Sequence, residues 1–227
     1  MANSSCLLCD QSLKDDRYFS DLICPNFSSE TLCRDCRQKI DFITGDVCED
    51  CGRPSSQTVC QDCQNWRQKY AFLLNNQALV NYNPLMKDYM HYYKFVGDYR
   101  LRQAFSEDLK KKFKKIMTGF DLVIPIPISE SSMAVRGFNQ VTGLFEFAAL
   151  KMSTDILAVK EKKQTSKLKR QARLKKENLF YLVHNDVAEK SILLLDDVYT
   201  TGTTLHQTAD VLYMNKAKKV SSITLAR

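Results

Sequence analysis

Eight of the nine cysteines fall into four pairs of identical spacing: Cys6/Cys9, Cys33/Cys36, Cys48/Cys51 and Cys60/Cys63. Cys24 is left over, and no cysteine follows Cys63. Two residues inside a pair let both thiolates face one ion, and two pairs close a tetrahedral four-sulfur site. Reduced core cysteines do not repeat at a fixed spacing, and four pairs without a strand–helix context do not make a thioredoxin-like redox centre. The expectation is two zinc ions. Cys48/Cys51 with Cys60/Cys63 is compact, with Gly52 and Pro54 suiting the turn among the eight residues between the pairs. Cys6/Cys9 then joins Cys33/Cys36 across 23 residues. The alternative is a cross-braced scheme, first with third and second with fourth. Residues 1–66 hold too little apolar material to fold without metal and are expected to form a small zinc-ribbon-like module, with a second domain over 67–227.

That second stretch reads differently. Phe72–Tyr82 has strand character; Pro84–Phe95 and Asp98–Met117 read as helices, the second with Leu101, Phe105, Leu109, Phe113 and Ile116 on one face. Leu122–Ile128 is an apolar strand, Val141–Lys151 a helix and Ile156–Val159 a short strand. Ile192–Leu195, Thr203–Met214 and Val220–Leu225 follow as strand, helix and strand. Such alternation predicts an α/β fold, a parallel sheet flanked by helices.

The chemistry concentrates in one run, Leu193–Leu195 into Asp196, Asp197, Val198, Tyr199, Thr200, Thr201, Gly202, Thr203 and Thr204. In open α/β sheets ligands bind at the carboxyl ends of strands, where the two carboxylates fall. Thr200 to Thr204 can surround a phosphate with backbone N–H groups and hydroxyls ahead of a helix, and Gly202 permits close backbone approach. Carboxylates beside a phosphate loop then serve to accept sugar hydroxyls or hold Mg²⁺. The run is neither a P-loop nor a dinucleotide-binding turn.

Charge is unevenly spread. The formal +7 of the chain is exceeded by residues 151–176 alone, where ten Lys/Arg face Asp155 and Glu161. This segment is either a solvated loop or a contact for nucleic-acid phosphates, with Lys162, Lys163, Lys167, Lys169, Arg170, Lys175 and Lys176 as the candidate DNA-binding groups. Lys110, Lys111, Lys112, Lys114 and Lys115 read mainly as the solvated face of their helix, with contact to nucleic acid as the lesser alternative. With 44% hydrophobic and 26% charged residues, a disordered or low-complexity chain is excluded. No apolar run approaches the ~18 residues of a membrane span, and the N-terminus has no signal-peptide pattern, so the expectation is a cytoplasmic protein that is not membrane-embedded. His91, His184 and His206 read as surface or core histidines, and Trp66 as packing between the two domains.

The acidic pair followed by Thr-Thr-Gly-Thr-Thr resembles the phosphoribosyl pyrophosphate (PRPP) motif of type I phosphoribosyltransferases. Together with Tyr93–Asp98, Val123–Pro127, Arg136–Gln140, Lys163–Thr165, Arg173, Asn178 and the cysteine pairs, the whole chain resembles the ComF family. The resemblance implies a part in natural transformation, handling imported single-stranded DNA at the inner face of the uptake machinery. The implied partners are the ComFA helicase-like ATPase and other competence DNA-processing proteins. It also implies PRPP with magnesium as ligand: Asp196 and Asp197 on ribose hydroxyls and Mg²⁺, and Thr200–Thr204 on the 5′-phosphate. Pro125, Ile126 and Pro127, with Ile128 and Ser129, match the pyrophosphate loop, and Lys94, Arg136 and Arg173 are phosphate contacts. Tyr92, Tyr93 and Phe138 are candidates for base stacking. Purine-salvage relatives carry a carboxylate where this chain has Thr200, which argues against purine transfer and leaves an active transferase of another base, or a non-catalytic PRPP sensor, as alternatives.

Overall fold

The computed structural model describes residues 5–13, 31–148, 151–161 and 178–227. Its elements in chain order are α1 (Arg34–Gln38), α2 (Gln61–Lys69), β1 (Asn75–Val80) and α3 (Pro84–His91). A π-helical turn (Tyr92–Val96) and a 3₁₀ turn (Tyr99–Gln103) lead into α4 (Ser106–Met117). Then come β2 (Leu122–Pro125), α5 (Glu130–Arg136), α6 (Gln140–Phe145), β3 (Leu157–Val159), β4 (Phe180–Leu182), β5 (Ser191–Val198), α7 (Thr203–Met214) and β6 (Lys219–Ala226).

Four strands pair in parallel in the order β1-β6-β5-β2, and β3 with β4 forms a separate antiparallel pair. A parallel sheet is covered on both faces, so its strands read as unbroken apolar runs. The side-chain period of two then divides each strand between two cores. Leu193, Leu195, Ile223 and Leu225 face the core built with α3, α4 and α6 (Met86, Phe105, Phe113, Leu144). Ile192, Leu194 and Val220 face the other, built with Leu205, Ala209 and Leu212 of α7.

The cysteine-rich segment is part of both cores: Cys6 and Cys36 belong to the first, and Cys48, Cys51, Cys60 and Cys63 to the second. Between them residues 41–50 run along the outer edge of β1. Ile43 N–H donates to Leu79 C=O (3.1 Å), Asn81 N–H to Asp41 C=O (2.8 Å) and Asn76 N–H to Asp50 C=O (2.7 Å). A Cβ on Gly52 would lie 2.8 Å from the Asn76 carbonyl oxygen, and its φ is +71°, so glycine is required at this close approach. An exposed strand edge, which would otherwise template pairing with other chains, is thereby covered.

The predicted elements are present, with differences at their ends and among the short elements. The helix expected over Asp98–Met117 is two pieces, because the Asp98 carboxylate caps Arg100 N–H and tightens the first turn to 3₁₀ geometry. The helix expected over Val141–Lys151 ends at Phe145. The α5 helix was not predicted: it has no buried residue and therefore no apolar period to read. Among the described residues no helix is long and apolar enough to cross a membrane.

Candidate functional site

β5 carries Asp196 and Asp197 to the carboxyl end of the sheet, both buried, with Asp197 N–H donating to Asp196 Oδ1 at 2.9 Å. Burial first, and the adjacent Asp197 carboxylate second, push Asp196 well above the usual carboxylate range. The compensating cation is Lys94, which pairs with Asp197 Oδ2. It arrives on the π-helical turn Tyr92–Val96; the wider turn buries Tyr93 while leaving Phe95 and Val96 exposed, and Gly97 closes it at φ +81°. Lys94 is committed to Asp197, so Asp196 has no cation of its own among the described residues.

The turn after β5 exposes Thr200 and Thr201, while Gly202, at φ +79°, leads into α7. Thr201 and Thr203 hydroxyls are 3.0 Å apart. The turn is held from below by groups near and far in sequence. Trp66 Nε1–H donates to Thr201 C=O (3.0 Å), and His206 Nδ1–H to Gly202 C=O (2.9 Å). The indole and imidazole stack at 4.2 Å between centroids, 12° from parallel. Burial holds His206 below its ordinary pKa, which keeps the ring neutral against the indole. Arg227 donates to Tyr199 C=O (3.3 Å), to Thr200 C=O (3.1 Å) and to Cys51 Sγ (3.3 Å), with its guanidinium 4.7 Å from the Tyr199 ring centroid.

β2 supplies the opposite wall. Pro125 pairs with Leu195, Ile126 N–H donates to Leu195 C=O (2.9 Å), and Asn139 Nδ2–H donates to Ile126 C=O (3.1 Å). Beyond Pro127, the Ser129 hydroxyl caps α5. The turn here already holds an anion: the Glu161 carboxylate accepts from Ser131 N–H (2.7 Å) and from the Ser131 hydroxyl (2.8 Å), contacts that lower its pKa. Arg136 donates to Gln140 Oε1 (2.6 Å) and lies 5.6 Å from the Phe95 ring centroid.

Two further centres lie in the cysteine-rich segment. Cys6, Cys9, Cys33 and Cys36 bring their sulfurs together, and so do Cys48, Cys51, Cys60 and Cys63; within each group all lie within 4.8 Å of one another. The pairing is first with second and third with fourth, and the cross-braced scheme is ruled out. Cys9 and Cys33 are 3.7 Å apart, and Cys51 and Cys60 3.8 Å. Metal–sulfur bonds of about 2.3 Å in a tetrahedron give edges of about 3.8 Å, far longer than a disulfide. Both groups can therefore hold a metal. The Cys63 thiol, then the backbone at Arg53 and the Arg227 guanidinium, bring Cys51 down to about 4 against the opposing effect of burial.

Of the sequence candidates, Lys94, Pro125–Pro127, Asp196, Asp197 and Thr200–Thr204 converge on one end of the sheet. Arg136 stands on α5, engaged with Gln140 and Phe95. Arg173 and the basic group Lys162, Lys163, Lys167, Lys169, Arg170, Lys175 and Lys176 lie outside the described residues. Tyr93 and Phe138 are packing residues: Tyr93 is fully buried and donates to Gln140 C=O (3.0 Å), and Phe138 packs against it and Tyr99. Tyr92 stays exposed. Trp66, His206, Arg227 and Glu161 were not read as site groups, since each contact spans 27 or more residues or, for His206, depends on the helix that presents it.

A phosphoribosyl transferase domain model matches residues 112–227. The chain is 37% identical over 222 residues to competence protein ComFC of Streptococcus pneumoniae, covering 98% of this chain and 99% of that one. It is 37% identical to ComFC of Bacillus subtilis, covering 98% and 94%. Among solved structures, a hypoxanthine phosphoribosyltransferase from Staphylococcus aureus aligns over 54% of this chain and 61% of its own, with 18% identity and a TM-score of 0.36. The chain belongs to the ComFC family of competence proteins and carries a phosphoribosyltransferase-like domain.

Proposed function

We propose that this protein handles imported single-stranded DNA during natural transformation, and that its phosphoribosyltransferase-like domain binds PRPP, or the sugar-phosphate end of a nucleotide, at the Asp196/Asp197 turn. The observation that carries the reading is a buried pair of carboxylates served by a single lysine, beside an exposed threonine turn. Asp196 and Asp197 accept ribose hydroxyls and hold Mg²⁺, whose charge favours the ionised form of both carboxylates. Thr200, Thr201, Thr203 and Thr204 surround the 5′-phosphate, with the backbone around Gly202 free to approach it. The pyrophosphate group takes the turn after Pro127, where Ser131 now binds the Glu161 carboxylate. Lys94 moves from Asp197 toward phosphate as the ligand enters.

With Thr200 where purine-salvage relatives carry a carboxylate, no group stands ready to take a proton from a base, so the reading is ligand binding coupled to DNA handling rather than turnover. The two cysteine centres hold zinc, the closed four-sulfur set being the donor arrangement of structural zinc. The partners are single-stranded DNA and the ComFA helicase-like ATPase at the cytoplasmic face of the uptake machinery.

Calorimetry of the metal-loaded protein with PRPP and Mg²⁺, repeated with single-stranded DNA present, tests the assignment. Binding is expected to require Mg²⁺ and to disappear in Asp196→Asn/Asp197→Asn. Binding that survives that double substitution would place the ligand elsewhere.

A further inference from the structure

A second, separate surface is built for polyanions. Between α1 and α4 lies an open groove of about 930 Å³, lined by Arg37, Lys110, Lys111, Lys114, Lys115 and Thr118 together with the carboxylates of Glu107 and Asp108. Five cations against two carboxylates leave +3 in one groove. Asp108 is already committed: its carboxylate takes both Arg37 guanidinium nitrogens at 2.5 Å, which ties α1 to α4 and forms one wall. The four lysines are exposed and make no ion pair, hydrogen bond or ring contact among the described residues, and Glu107 pairs with none of them.

Their placement on α4 is specific. Leu109, Phe113 and Met117 bury the opposite face. At 3.6 residues per turn, Lys110, Lys114, Lys111 and Lys115 spread over about 140° of the outer face, as two pairs about 6 Å apart along the axis. Both Lys110/Lys114 and Lys111/Lys115 are like-charged at i,i+4, an arrangement that weakens a helix. The helix dipole rewards cations only in the last turn, so it accounts for Lys114 and Lys115 and not for Lys110 and Lys111. A repulsive cluster that the two carboxylates of the groove do not balance is relieved by an external anion with regularly repeated charges. No aromatic side chain lines the groove, so it offers charge to a backbone and no platform to bases.

We infer that the α1–α4 groove is a track for the phosphodiester backbone of single-stranded DNA, held by Lys110, Lys111, Lys114 and Lys115 without regard to sequence. This rests on the DNA-handling reading but not on the ligand assigned to the Asp196/Asp197 turn.

The test compares the metal-loaded wild type with the variant Lys110→Gln/Lys111→Gln/Lys114→Gln/Lys115→Gln, titrating a fluorescent oligothymidylate between 50 and 200 mM salt. Each phosphate contact to a single strand contributes a slope of about −0.7 in log affinity against log salt, so losing four lowers the slope by about 2.8. Over that fourfold salt range, the wild type therefore loses about 50-fold more affinity than the variant. The variant keeps its helical circular dichroism, two metals per chain and unaltered PRPP binding, because none of the four lysines touches either site. Equal slopes in the two proteins overturn the groove while leaving DNA handling standing. A slope lost only when the lysines of 162–176 are replaced instead also overturns it. A wild type with no affinity for the oligonucleotide at 50 mM salt removes the DNA reading itself. If the four substitutions abolish binding to phosphatidylglycerol vesicles and leave DNA binding intact, the surface is a membrane contact and the inference fails.

Discussion

Gly202 is the position at which the Thr200–Thr204 turn is most sensitive, and Gly202→Ala isolates the reason. Its φ of +79° costs an L-residue about 1–2 kcal/mol through Cβ–carbonyl crowding. The added Cβ would also fall 2.2 Å from Tyr199 Oη, 2.4 Å from Cζ and 2.8 Å from Cε1. Tyr199 cannot swing clear, since it is 2% exposed and packed in the core beside the second cysteine group, so the overlap adds about 1–3 kcal/mol of overpacking. Gly202→Ala should therefore lose about 2–5 kcal/mol in guanidinium unfolding, a large share of the ~5–15 kcal/mol available to a typical domain. Tyr199→Leu removes all three clashing atoms but leaves the backbone strain. In that background Gly202→Ala should cost only the ~1–2 kcal/mol of strain, giving a coupling of about 1–3 kcal/mol in a double-mutant cycle. A penalty under ~0.5 kcal/mol, or one that is unchanged beside Leu at 199, would refute the reasoning, because neither outcome is compatible with a packed tyrosine over a left-handed glycine.

Asp196→Asn should trade ligand binding for stability. The folded state holds Asp196 protonated to a higher pH than the unfolded chain, which ionises near 3.9, so the native carboxyl costs the fold increasingly as pH rises above about 4. The variant should match wild type in unfolding midpoint at pH 3.5 and exceed it at pH 7; a constant difference across that range would mean the pair is not the cause. Trp66→Phe keeps the stack on His206 but deletes the hydrogen bond to Thr201, and should cost only about 0.5–1.5 kcal/mol of stability. Amide exchange at 200–204 should quicken in that variant, and again when a chelator strips the Cys48/Cys51/Cys60/Cys63 group; unchanged exchange in both would show that the turn does not depend on these supports.

The features legible in the sequence were those with local causes. The cysteine spacing marked both four-sulfur groups, although only the fold chose between two pairing schemes. The run Leu193–Leu195 into Asp196 and Asp197 announced a buried strand ending in a site, because a strand covered on both faces admits no polar alternation before its end. The supports were not legible: Trp66 reaches Thr201 across 135 positions and Arg227 reaches Cys51 across 176, and nothing local distinguishes that arginine from a solvated one. Of the aromatic residues beside Lys94 and Arg136, which the sequence leaves between stacking and packing, Tyr93 is buried in the core and Phe138 packs against it, where large rings gain most. Short elements escaped for a similar reason. β4 is three residues long, identifiable only by its pairing with β3.

The cover over β1 has a consequence for how such a chain fails. Its guard is a set of turns whose shape hangs on two clusters of thiolates, and the cores on both sides of the sheet borrow side chains from the same stretch. A cell short of metal would then accumulate chains with a bare parallel edge and two opened cores, prone to stick to one another before any question of lost activity arises. With metal held at both clusters, as proposed above, metal supply would set how much of this protein stays in solution.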